Sequence, residues 1–186
     1  MLYIQLQLKD RRVVMPNHCY QQVTLTGSMD LMRIIYDELR KSVVGENEPE
    51  LLQLIIPMPF KMNKYFEDEN GNFNAEWYDW RVENWGCKWD VAEVEIYDSS
   101  WDTDGNVLPE FITGTALPDH SKDDYFVTFN CWTAWGPPIH VWEHLQELGI
   151  HVDADYQDEG GMFEGSFVNG VHDQWEPDEG EDIDDE

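Results

Sequence analysis

The chain has 186 residues, 41% hydrophobic and 13% aromatic, which suffices for one ordinary domain with a buried core and is too apolar for a disordered chain. Its 39 Asp and Glu against 11 Lys and Arg leave a formal net charge of −28, a field that repels nucleic acid and anionic membranes and attracts basic proteins. The charge is lopsided, because residues 1–122 carry 21 acids and 11 bases while residues 123–186 carry 18 acids and no Lys or Arg.

Residues 2–8 alternate apolar and polar side chains, with Leu2, Ile4, Leu6 and Leu8 on one side, and predict a half-buried strand within an N-terminal extension, 1–16. Residues 20–26 predict a second strand closed by Gly27. Ser28 then caps a helix whose core stripe is Leu31, Ile35, Leu39 and Val43, ending before Gly45. The nearly continuous apolar run 51–56, stopped by Pro57 and Pro59, predicts a central strand covered on both faces.

Residues 60–124 read as an insertion into the main domain, 17–175. Within it, Asn70-Gly71 is a type I′ hairpin signal. Residues 77–90, WYDWRVENWGCKWD, hold four of the nine tryptophans, too many large indoles to leave in water. They predict a helix with Asn74 as N-cap, Glu76 in the first turn, Tyr78, Val82, Trp85 and Trp89 facing the core, and Gly86 as the C-terminal glycine. A strand over 88–97, a turn at Asp104-Gly105 and an irregular loop over 106–124 follow.

Residues 125–131 predict a strand, and Pro137 or Pro138 opens a helix with inner face Val141, Trp142, Leu145 and Leu148, ended by Gly149. Residues 151–156 and 162–168 alternate about Gly160-Gly161 and predict a closing hairpin. An acidic tail, 176–186, completes the chain: residues 177–186 hold seven acids and one apolar side chain. With the insertion set aside, the order is strand, helix, strand, strand, helix, strand. That order is the α+β, ferredoxin-like split βαβ arrangement of two helices on an antiparallel sheet.

Cys19, Cys87 and Cys131 are odd in number and form no CxxC pair, which predicts reduced, buried thiols. The start of the chain shows no signal-peptide pattern and no run is long and apolar enough to span a membrane, so a cytoplasmic protein is expected.

His140, Glu143 and His144 match the HxxEH spacing of an inverted zinc-protease motif, and a metal-dependent hydrolase built on them is one alternative. Both imidazoles, however, fall on the outer face of an amphipathic helix, so a solvated face is the better account and no metal or other cofactor is expected. Asp102, Asp104 and Asn106 bunch like calcium ligands, but Gly105 falls one place early for a calcium loop and Thr113 stands where a bidentate Glu is needed. His18 adjoins Cys19, and strand neighbours point to opposite faces, which disfavours a nucleophile pair. Exposed tryptophans among Trp101, Trp132, Trp135 and Trp175 offer another alternative, a single-strand binder, which the shortage of cations disfavours.

The pattern of residues 77–90 recurs with PNHCY at 16–20, LIIPMP at 54–59 and TAWGPP at 133–138. Together these resemble the YubB-like proteins of bacteriophages and conjugative plasmids, a ferredoxin-like family of unassigned function, over roughly residues 16–165. The chain departs from the family pattern at Cys87 and Gly136. The resemblance implies a fold and a mobile-element origin, in a bacterial host, and assigns no active site.

The remaining signal is the acidic final third. Asp153 and Asp155 share one face of a predicted strand at about 7 Å, with Asp158, Glu159, Glu164 and Asp173 nearby. Carboxylates fixed on a sheet, with Trp135 as an aromatic anchor, lead to one expectation. It is a non-enzymatic phage- or plasmid-encoded inhibitor that occupies the basic nucleic-acid-binding surface of a host or defence protein, of restriction or CRISPR type, by DNA mimicry.

Overall fold

A computed structural model describes residues 17–45, 47–62, 76–109, 111 and 124–176. The expected strand at 2–8, the Asn70-Gly71 turn, the Asn74 cap, most of the loop 106–124 and the tail from 177 lie outside the described residues.

The structure is α+β, built on one six-stranded antiparallel sheet. In chain order the elements are β1 (His18–Ser28), α1 (Met29–Val43), α2 (Leu51–Ile55), α3 (Glu76–Trp85), β2 (Ala92–Ser99), β3 (Asp124–Ala134), α4 (Ile139–Glu147), β4 (His151–Asp158), β5 (Glu164–Val168) and β6 (Val171–Trp175). The strands lie side by side as β2-β3-β1-β4-β5-β6. β1 is the spine, paired with β3 over its whole length and with β4 from Cys19 to Thr26. None of the described helices is long and apolar enough to cross a membrane.

The strands alternate. Val23 and Leu25 of β1, Val127 and Phe129 of β3, Val152, Ala154 and Tyr156 of β4 and Phe167 of β5 are buried on one face. Against that face packs α1, through Met32, Ile35, Tyr36 and Leu39, and α4, through Val141, Trp142 and Leu145. Helices α2 and α3 join the same layer through α4. The opposite face of the sheet carries no described helix.

Helix α1 turns a stripe inward that differs from the expected one. The positions 31, 35, 39 and 43 are each four apart, and four residues overshoot one helical turn by about 40°. Val43 has therefore rotated into solvent, whereas 32, 35, 36 and 39 hold one face. The tryptophan helix shows a similar offset. Trp85 is fully buried, Trp77 and Trp80 pack partly buried on the core, and Val82 is exposed. Arg81 shares the inner stripe, with its guanidinium 5.3 Å from the Trp77 ring and 4.8 Å from that of Trp85. Gly86 ends the helix at φ +88°, where a Cβ would meet the backbone of Pro137 and Ile139.

Residues 51–55 correct the expected central strand: they form a helix, and the strand that follows α1 in the sheet is β2. The cause is tertiary. Asp90 accepts the backbone N–H groups of Leu52 and Gln53 at 2.8 and 2.9 Å, satisfying the first turn of α2 with a carboxylate. At the other end the Trp85 indole donates to the carbonyl of Ile56 at 2.9 Å. The segment 85–90 thus holds both ends of α2. A second correction is β6, absent from the expected elements, so the sheet extends two strands beyond β4.

Burial pushes the Asp90 carboxyl from 3.8 up to about 6, against the pull of its N–H donors. Since the folded chain holds that proton more tightly than the unfolded one, the contribution to stability is full below the unfolded value and is lost as pH rises through about 6. Wild type should therefore lose roughly 2–3 kcal/mol relative to Asp90→Asn between about pH 4 and pH 7. Urea denaturation of both proteins across that range measures it, and a gap that stays constant with pH would contradict the assignment.

Candidate binding face

On the face that no described helix covers, the uncovered face of the described residues, strand register sets the side chains in rows that cross the sheet. One row runs Glu95, Asn130, Gln22, Asp155, Ser166 and Asp173, a partner pair at every step from β2 to β6. A second runs Trp132, Tyr20, Gln157, Glu164 and Trp175, and a third Asp98, Thr128, Thr24, Asp153, Val168 and Val171. Neighbouring positions along each row are about 4.8 Å apart, and successive rows are about 7 Å apart. The face therefore presents six carboxylates in a lattice fixed by backbone hydrogen bonds. Among the described residues Lys and Arg stand on α1, after α2 and on or just after α3, and none occupies a strand.

Of the residues expected to form the site, Asp153, Asp155 and Asp173 are exposed on this face, and Glu164 lies half-buried between Gln157 and Trp175. Glu159 sits at the end of the sheet, where its carboxylate meets His18 Nδ1 at 3.1 Å and the His18 backbone N–H at 3.2 Å. Asp158 corrects the expectation. It is the buried eighth residue of β4, 3% exposed, and its carboxylate accepts the N–H groups of Gly160 and Met162 to shape the turn into β5. Even-numbered β4 residues point to the core, so an acid at 158 cannot share a face with 153 and 155.

Trp135 is 40% exposed at φ +77°, but its ring contacts Tyr78 of α3 and the ammonium of Lys88, away from the carboxylate rows. The exposed indole beside the acids is Trp175, whose Nε1 donates to Glu164 at 2.6 Å. Between Trp175 and Tyr20 lies an open groove of about 300 Å³, lined also by Gln22, Asp155, Gln157 and Glu164. At its far side Tyr20 meets the Trp132 ring edge-on at 5.2 Å, and burial, then the adjacent Tyr97, raises the Tyr20 phenol above its ordinary range.

The other candidates disperse. His140 pairs with Glu143 at 3.3 Å and His144 with Glu147 at 3.2 Å, both on the exposed face of α4. Asp102 is engaged within its own turn by Asn106 and the backbone N–H groups of Asp104 and Asn106, which hold its carboxyl below the usual range. Among the described residues no group of three or more His, Cys, Asp or Glu is placed to hold a metal ion. Cys19, Cys87 and Cys131 are free and buried, and burial pushes the Cys19 thiol up to about 12.

No family model matches the chain, and no curated protein or solved structure matches it. What the fold and face define is a class by shape: an α+β protein with helices on one side of an antiparallel sheet and an anionic surface on the other.

Strand β6 places Trp175 and Asp173, and the Tyr156 side chain ties it to the core. The Tyr156 hydroxyl crosses beneath Gly165 to meet His172 Nε2 at 2.6 Å and Gln174 at 3.2 Å. A Cβ at Gly165 would collide with that hydroxyl and with the carbonyl of Asp173. Gly165→Ala should therefore loosen β6 and cost on the order of 2 kcal/mol. Hydrogen exchange should report the loss at residues 171–175 before any at β1, and unchanged protection there would contradict this anchoring.

Proposed function

We propose that this is a non-enzymatic binding protein whose uncovered sheet face docks on a basic surface of another protein. The finer reading is DNA mimicry: a phage- or plasmid-encoded inhibitor, with a ferredoxin-like core in strands β2, β3, β1 and β4, that occupies the nucleic-acid-binding groove of a host or defence protein in the bacterial cytoplasm. The supporting observation is the lattice of Glu95, Asp98, Asp153, Asp155, Glu164 and Asp173 with no Lys or Arg on any strand among the described residues. Asp is disfavoured in strands, and like charges on one face repel. An arrangement that bears both costs is accounted for by a cationic partner that repays them on binding. The mobile-element origin rests on the motif resemblance of residues 77–90 and its companions.

The aromatic row of Trp132, Tyr20 and Trp175 favours a second reading, single-strand stacking, on the same face. The carboxylates beside those rings oppose it, since a polynucleotide needs cations there.

The chain, immobilised, should capture a basic protein from bacterial lysate at low salt, and duplex DNA should displace it. Exchanging four acids outside the groove, Glu95→Gln, Asp98→Asn, Asp153→Asn and Asp173→Asn, should slow association at least ten-fold and flatten its salt dependence. Capture that ignores salt and these exchanges, or that DNA cannot compete, would sink the reading. Quenching of tryptophan fluorescence by oligonucleotides at low salt would favour stacking instead.

A further inference from the structure

The groove between Tyr20 and Trp175 extends the proposed binding of a basic partner, and rests on it, by selecting among cations. We infer that it receives an arginine side chain of the partner and discriminates against lysine. Its two aromatic walls stand on β1 and β6, three strands apart and so about 14 Å between backbones. The floor between them is Gln157 and Glu164, with Asp155 and Gln22 in the adjoining row. That width takes one extended side chain lying across the sheet.

The lining matches a guanidinium in each of its parts. A flat, weakly hydrated cation stacks on an indole and uses its fork of donors on a carboxylate, while an ammonium is a compact, strongly hydrated point charge that does neither well. Trp175 is 47% exposed yet tied by its Nε1 to Glu164, so the ring is set in place beside a carboxylate before anything binds. The amides of Gln22 and Gln157 add hydrogen-bonding groups along the floor, and among the described residues no strand carries a Lys or Arg that would compete for the site. Charge complementarity commits the occupant: a neutral ligand would forgo the charge attraction of Asp155 and Glu164, and an anionic one would be repelled by them.

The test uses the full chain and two fluorescent peptides of equal length and charge, one rich in arginine and one in lysine, titrated at low salt. The arginine peptide should bind at least five-fold more tightly. Trp175→Leu and Glu164→Gln should each abolish that preference, while Trp175→Tyr, which keeps a ring face, should restore most of it. Asp153→Asn with Asp173→Asn should weaken both peptides alike and leave the preference intact. Equal affinity of wild type for the two peptides, or a preference that survives Trp175→Leu, overturns the arginine site and leaves the anionic face standing. Failure of both peptides to bind overturns the anionic face and the groove with it.

Discussion

The rest of the structure depends on the register of the central strands. β1 is hydrogen-bonded on both sides, and β4 alternates without interruption, Val152, Ala154 and Tyr156 inward, Asp153, Asp155 and Gln157 outward. A slip of one residue would drive two carboxylates into the core and expose the side chains that form it. The direction in which the acids point is therefore coupled to folding itself. The anionic lattice cannot be relaxed by a side-chain change alone, which distinguishes it from charge on a tail.

A second constraint decides which face the described helices cover. Helices collect where they can bury apolar surface, and the tryptophan segment gathers them on one side. Trp85 and Asp90 hold the two ends of α2, and the close approach at Gly86 seats the end of α3 on the start of α4. Indoles, which the composition supplies in abundance, make that layer thick and one-sided. Among the described residues the other side is left to polar and acidic side chains with a few rings among them, a surface poor as a core.

Much of this was legible in the sequence. Period-two alternation located β2, β4 and β5, runs of strand-forming residues located β1 and β3, and the glycines at 86, 105, 149 and 161 marked ends and turns with positive φ, while α4 emerged with Val141, Trp142 and Leu145 inward but Leu148, expected beside them, exposed. The charge imbalance pointed to the C-terminal strands. What could not be read locally was tertiary. The run at 51–56 suits strand or helix equally, and the groups that hold it as a helix, the Asp90 carboxylate and the Trp85 indole, come from 38 and 29 residues away. Strand β6 did have a signal, Asn169-Gly170, a hairpin dipeptide whose residues take φ +49° and +82°. Its missing counterpart was hydrophobicity, because all five residues of β6 are exposed. Trp175 was therefore visible as an aromatic but not as part of a groove, and Trp135 took its place in the expected site. Parity along β4 was enough to separate Asp158 from Asp153 and Asp155, and proximity in sequence obscured it.

The central claim is that the uncovered sheet face, and not the helical layer, meets a basic partner. Carbodiimide labelling of carboxylates, read residue by residue with and without a bound arginine-rich peptide, addresses it most directly. The account predicts protection at Asp155, Glu164, Asp153 and Asp173 with Asp30, Asp37, Glu143 and Glu147 of the helices still labelled. Protection confined to the helical acids, with the sheet acids unchanged, would contradict it.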